Sequence, residues 1–166
     1  IALLIDDGIG AAATWDARMR AADDIIARAE ADNRGVALVP LSEVARDFSL
    51  QAPAAARVQL KQLKPKPYAI ARTDVLPAVS RLLAGAAGAE VIWLSDGVDL
   101  DGGSEFVKGL ARIVDGRSVA VVTGASVATL LDFVMGPGDA EDDLRRAATR
   151  GGEAVRVFPA GGARAG

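Results

Sequence analysis

Apolar residues recur along this chain with two different spacings, and the alternation between them predicts its elements. "IALLID" (1–6) is an unbroken apolar run ending in acid, the pattern of a strand buried on both faces. A loop of small residues follows, and Thr14 is placed to cap a helix whose apolar stripe is Trp15, Met19, Ala22, Ile26 and Ala29, with charge opposite. Asn33 and Gly35 in "DNRG" stop that helix. "VALVPL" (36–41) reads as a second strand. Its Pro40 cannot donate to a ladder, which puts the strand near an edge or ends it there. "RDFSL" (46–50) alternates polar and apolar, and predicts a short antiparallel edge strand folded back on the previous one.

The second half repeats the alternation. Residues 54–63 form a modest helix stopped at "KPKP", where Pro65 and Pro67 make a stiff surface connector. Thr73 is the expected cap of the next helix, with Asp74 in its first turn and Val75, Leu76, Val79, Leu82 and Leu83 as its stripe. "EVIWLSDG" (90–97) is again an apolar strand closed by acid and glycine, followed by a helix over 102–114 and a buried strand at 118–124. Beyond Thr123 the pattern thins. "VATLLDFVM" fits a strand or a short helix. "DAEDDLRRAATRGG" fits a helix with acids first and arginines last, or else a hairpin turning at Gly151 and Gly152, before a last strand at 154–158. Strands alternating with helices imply an α/β fold, a doubly wound and mostly parallel sheet with helices on both faces and one short antiparallel edge strand. One domain is expected over 1–160, with 161–166 as a tail or cut linker.

Composition narrows the chemistry. The 166 residues include no Cys and no His, which removes thiolate and imidazole catalysis, the Ser-His-Asp triad and ordinary zinc sites. The net charge is −3 with basic residues scattered, so no nucleic-acid partner is expected. Hydrophobic residues make up 51% and aromatics 4%, so the core is built from Ala, Val, Leu and Ile. Trp15, at the head of a helix stripe, and Trp93, in mid-strand, are read as core. No apolar run reaches the ~20 residues of a membrane span. The chain opens on Ile1, already inside a strand, and is taken as a domain cut from a longer protein.

The remaining candidate chemistry lies in carboxylates. Asp6 and Asp96 each close an apolar strand, and in an open parallel sheet such ends share one edge, where ligands bind near the point at which strand order reverses. Oxygen donors of this kind suit Mg²⁺, Mn²⁺ or Ca²⁺. Equally, Asp and Gly after a strand often only turn the chain. A phosphorylation receiver also opens on an acid pair, but it needs a phosphoacceptor Asp much nearer than Asp96 and a Lys after a later strand, whereas the last lysine here is Lys108. "GIG", "GVDLDGG" and "GPGD" lack the spacing of a phosphate-binding loop. A carboxylate-only hydrolase would want the aromatic platforms that this chain lacks.

The colinear order "IALLIDDGIG … GVALVPLSEVARDFSL … ARTDVLPAVSRLL … EVIWLSDGVD" resembles the von Willebrand factor A (vWA) family over residues 1–123, and less closely through "LRRAATRGGEAVRVF". Within it, the sequence is most similar to vWA-like domains of large bacterial membrane proteins of the Bat, or aerotolerance, type. The family's metal-ion-dependent adhesion site takes Asp-x-Ser-x-Ser after the first strand, a Thr from a middle loop and the Asp of a later "DG". By this resemblance Asp6, Thr73 and Asp96 hold the first, fourth and fifth positions, while Gly8 and Gly10 stand where serines are expected. The implication is a degenerate site: no cofactor is expected, and Mg²⁺ would bind weakly if at all. The resemblance further implies a non-catalytic protein-interaction module of a bacterial, membrane-anchored parent, meeting a protein partner through carboxyl-edge loops that include Asp7, Gly8, Gly10, Asp99 and Asp101. Asp7 itself is expected to face solvent or bond the adjoining loop. The rival implications are a working Mg²⁺, Mn²⁺ or Ca²⁺ adhesion site and a metal-assisted hydrolase.

Overall fold

The fold was obtained as a computed structural model that describes residues 1–86, 88–96, 103–114, 119–123 and 155–158. Its sheet runs β2-β1-β3-β4-β5, with β1 (Ala2–Ile5), β2 (Ala37–Pro40), β3 (Val91–Ser95), β4 (Val119–Thr123) and β5 (Val155–Phe158). The first four are parallel to their neighbours and β5 is antiparallel to β4. The helices are α1 (Trp15–Ala31), α2 (Pro53–Leu60), α3 (Leu76–Ala84) and α4 (Gly103–Val114).

Two cores lie on opposite faces of the sheet, and strand periodicity sorts the residues between them. Leu3 and Ile5 of β1, with Leu38, Ile92 and Leu94, meet Ala22, Ile25, Ile26 and Ala29 of α1 and Ala56 and Leu60 of α2. Ala2 and Leu4, with Ala37, Val39, Val91 and Trp93, meet Val79, Leu82 and Leu83 of α3 and Phe106, Leu110 and Val114 of α4. Burial on both faces is why β1 reads as a continuous apolar run with no alternation. On the second face Trp93 and Phe106 pack edge to face, with centroids 4.7 Å apart and planes at 70°. The core reading of Trp93 therefore holds. Trp15 is half-buried against the first core.

The helix signals act much as expected, with two changes. α1 ends in a Schellman motif: Asn33 takes φ 53°, its N–H donates to Glu30 O at 3.1 Å, and Arg34 N–H donates to Ala29 O at 2.7 Å. Thr14 occupies the N-cap of α1 but makes no capping bond. A 3-10 turn over Ile9–Thr14 runs straight into α1, and the Thr14 hydroxyl instead accepts from Arg18 at 2.9 Å. The second change is at Thr73, which does not cap α3. It lies inside a 3-10 turn, Arg72–Val75, and Val75 is the N-cap, with a proline in the first turn of α3.

The edge strand is also corrected. Residues 46–50 are not a strand; only an isolated antiparallel bridge joins Val36 to Gln51. Ala37 N and Leu41 N donate to β1, so the nitrogen of Pro40 faces away from it, and a ladder on the outer side of β2 would find no donor there. The antiparallel edge strand of this sheet is β5. The helix or hairpin expected at 139–152, the segment 127–135 and the tail 161–166 lie outside the described residues.

Candidate functional site

The carboxyl ends of β1 and β3 are adjacent, because the chain leaves β1 for β2 on one side and returns to β3 on the other. Asp6 and Asp96 therefore face one another across the crevice where strand order reverses. The Asp96 N–H donates to Asp6 Oδ2 at 3.1 Å, and the Asp6 N–H donates to Leu94 O at 3.1 Å.

What joins the two carboxylates is a side chain absent from the sequence-derived site. Arg72, only 4% exposed, donates from Nε to Asp6 Oδ1 at 2.9 Å and Oδ2 at 3.1 Å, and from Nη2 to Asp96 Oδ1 at 2.8 Å. A second buried guanidinium lies beneath. Arg18, 5% exposed, donates from Nη1 to the Asp6 carbonyl at 3.1 Å and to the Ala11 carbonyl at 3.4 Å, and from Nη2 to Thr14 Oγ1 and the Ser95 carbonyl. Two carboxylates and two guanidiniums thus make a formally neutral quartet, the condition under which ionised groups are tolerated in an interior. Burial pushes the Asp6 carboxyl up from its ordinary range, and the hydrogen bonds and charge of Arg72 pull the other way. Burial likewise lowers the Arg18 guanidinium, which stays charged at any physiological pH.

Asp7 is fully buried and does not face solvent. It bonds the adjoining loop: Ser42 donates to it from N at 3.0 Å and from Oγ at 2.6 Å, which pins the turn after β2. Burial raises its carboxyl, opposed by the Ser42 bonds and by the charge of Lys66.

The glycines owe their place to close approach. A Cβ on Gly10 would lie 2.4 Å from Asp96 Oδ2, and one on Gly8 would lie 3.1 Å from Ile70 Cγ1. Serine at position 10 would therefore push into the carboxylate it was expected to assist. Thr73, though next to Arg72 in sequence, is exposed and makes no side-chain hydrogen bond among the described residues. Of the sequence-derived candidates, the fold brings Asp6, Asp96 and Gly10 into contact, sets Gly8 and Asp7 on the flanking loops, and leaves Thr73 at the surface. Asp99 and Asp101 lie outside the described residues. Among those residues, no group of three or more Asp or Glu is arranged to hold a metal ion.

A von Willebrand factor type A protein from Catenulispora acidiphila superposes with a TM-score of 0.51 at 19% identity, over 89% of this chain. The fold is vWA-like. The chain spans 41% of that protein's length, so the likeness concerns one part of a longer molecule. No protein-family model and no curated protein matches the sequence.

Arg72 was missed because a basic residue before Thr-Asp at a helix start reads as solvated surface. The available signal lay elsewhere. Two acids closing strands buried on both faces require a compensating cation. Arg18, three residues after Trp15 and four before Ala22, sits on the apolar face of α1 where a solvated arginine would not.

Proposed function

We propose that this chain is a non-catalytic protein-interaction module, in which an arginine stands where adhesion-type sites of this fold carry a divalent cation. The observation that carries the reading is Arg72, bonded through Nε to both oxygens of Asp6 and through Nη2 to Asp96. A metal at this point would have to displace a charged group already satisfying both carboxylates. The rest of the site fits a metal no better: Gly8 and Gly10 bring no side-chain oxygen, and the space a serine would need at position 10 is taken by Asp96. Mg²⁺ needs near-octahedral oxygen coordination and gives up its waters reluctantly, so two carboxylates already engaged by a guanidinium are a poor exchange for it.

The same arrangement argues against catalysis. Asp6 and Asp96 are engaged as acceptors, and the chain offers no His or Cys to act beside them. The vWA-like fold is commonly used for protein contact, and the loops at its carboxyl edge are the surface left for it. We place the module in a larger bacterial, membrane-anchored parent, a reading supported by the sequence resemblance and by the bacterial source of the structural neighbour. No helix among the described residues is long and apolar enough to cross a membrane, so such an anchor would lie outside them.

Thermal unfolding with EDTA and with millimolar Mg²⁺, Mn²⁺ or Ca²⁺ tests the reading. A ligand of the native state at a hundred times its Kd would add about 2.7 kcal/mol. The expected result is no measurable stabilisation by any of the three ions. Stabilisation that vanishes in both Asp6→Ala and Asp96→Ala would overturn it and reinstate a working metal site.

A further inference from the structure

We propose that the partner is an acidic protein segment with an apolar anchor, docking on a cationic, apolar ridge formed by residues 61–68 and Ile9. This rests on the interaction-module reading and adds the chemistry of the contact. Three observations place the ridge. Lys61, Lys64 and Lys66 are all the lysines of the chain except Lys108, and no acid occurs between Asp47 and Asp74. In that acid-free stretch Arg57 pairs with Asp23 and Glu30, and Arg72 with Asp6 and Asp96, whereas the three lysines form no ion pair with any described residue. A molecule of net charge −3 thus carries concentrated positive charge in one connector.

The connector lies on the binding edge of the sheet. Lys66 N–H donates to the Asp7 carbonyl, and Ile9 N–H donates to the Tyr68 carbonyl at 3.0 Å, so residues 66–68 run alongside the loop that follows β1. Ile70 packs beneath against Gly8. On top, Ile9 and Tyr68 are 58% and 54% exposed, two of the most exposed large hydrophobic residues described, held side by side by a backbone hydrogen bond. A proline after each of Lys64 and Lys66 biases both toward extended backbone, so this connector has less freedom to lose on binding than an unrestricted loop. Exposed apolar side chains framed by lysines that form no ion pair among the described residues complement a segment carrying carboxylates around one apolar or aromatic residue.

An anionic membrane offers a similar charge, but magnitudes favour protein. Each lysine near an anionic surface is worth about 1 kcal/mol, so three supply only about 3 kcal/mol, below what stable anchoring needs.

The test uses the whole chain in EDTA, with a short fluorescein-labelled peptide of Glu-Glu-Leu repeats followed by fluorescence anisotropy, and phosphatidylserine–phosphatidylcholine vesicles in a parallel sedimentation assay. The peptide should bind in EDTA and weaken with salt. Binding should fall about tenfold or more in the triple variant Lys61→Glu, Lys64→Glu, Lys66→Glu, and also in Ile9→Ala with Tyr68→Ala. All five positions are at or near the surface and outside both cores, and unchanged unfolding midpoints verify that the variants fold. With the assay repeated in Mg²⁺, no peptide binding in either condition, binding indifferent to charge reversal, or vesicle binding with no peptide binding overturns the ridge. Peptide binding that is lost on charge reversal but appears only with Mg²⁺ supports the ridge and overturns the metal-free reading, so the two proposals fail separately.

Discussion

Gly10 sits against a carboxylate that leaves no room for a side chain. Its α-carbon approaches Asp96 so closely that a methyl group would meet Oδ2 at 2.4 Å, while Oδ1 of the same carboxylate is held by Arg72. Asp96 can yield only by loosening that bond. Gly10→Ala is therefore expected to cost about 1 to 3 kcal/mol in urea unfolding. In an Asp96→Ala background the same change should cost little, and a double-mutant cycle reads the difference. Strictly additive costs would show that the clash is relieved elsewhere.

Asp7 supports a pH prediction. Its carboxyl is raised by burial, so between the ordinary carboxylate range and the raised value the native state holds more proton than the unfolded one. Stability then falls as pH rises through that window, and the full penalty stands above it. Asn mimics the protonated form and can still accept from Ser42 N. Asp7→Asn should thus be at least as stable as the natural chain at neutral pH, with the natural chain gaining on it as the solution is made weakly acid. Denaturation midpoints that run parallel across that range would contradict this account. The placement of Asp6 and Asp96 was legible because acids closing apolar runs must share a sheet edge. Their partner was not, because an arginine's destination is decided by long-range packing that no local pattern records.

Among the elements, β1, β2 and β3 were readable for a simple reason: sandwiching between helices leaves no polar face, so the runs are continuous. Residues 46–50 misled because alternation was present without a ladder to join. Phe48 packs against the second core, and Arg46 lies over its ring at 6.0 Å, which accounts for the pattern without a strand. The pairing of β3 with α4 rests on Trp93 against the fully buried Phe106. Phe106→Ala should cost about 3 to 5 kcal/mol, and Phe106→Leu distinctly less, as measured by chemical denaturation. Loss of the edge-to-face contact alone accounts for about 0.5 to 1.5 kcal/mol, so a similar cost for both variants would mean that ring geometry, not volume, holds α4 in place.

For the whole molecule, the quartet matters because of what it ties together. Asp6, Arg72 and Asp96 belong to three separate crossings of the carboxyl edge, with sequence separations of 66 for the first pair and 24 for the second. Removing the guanidinium by Arg72→Ala leaves two carboxylates without their bridge and should cost about 3 to 5 kcal/mol in equilibrium unfolding. Arg72→Lys keeps the charge but cannot form the same fork, and should fall between. An Arg72→Ala variant as stable as the natural chain would remove the basis for treating Arg72 as the site's resident cation.

That wide separation along the chain also bears on the order in which the structure is made. Contacts between residues so far apart form only after the intervening segments have been laid down, so the cluster should be late to assemble. A substitution there is expected to leave the refolding rate nearly untouched and to speed unfolding, with φ-values near zero for Arg72→Ala. In this molecule the bridging arginine would govern how long the native state lasts once formed, and have little say in how fast it is reached.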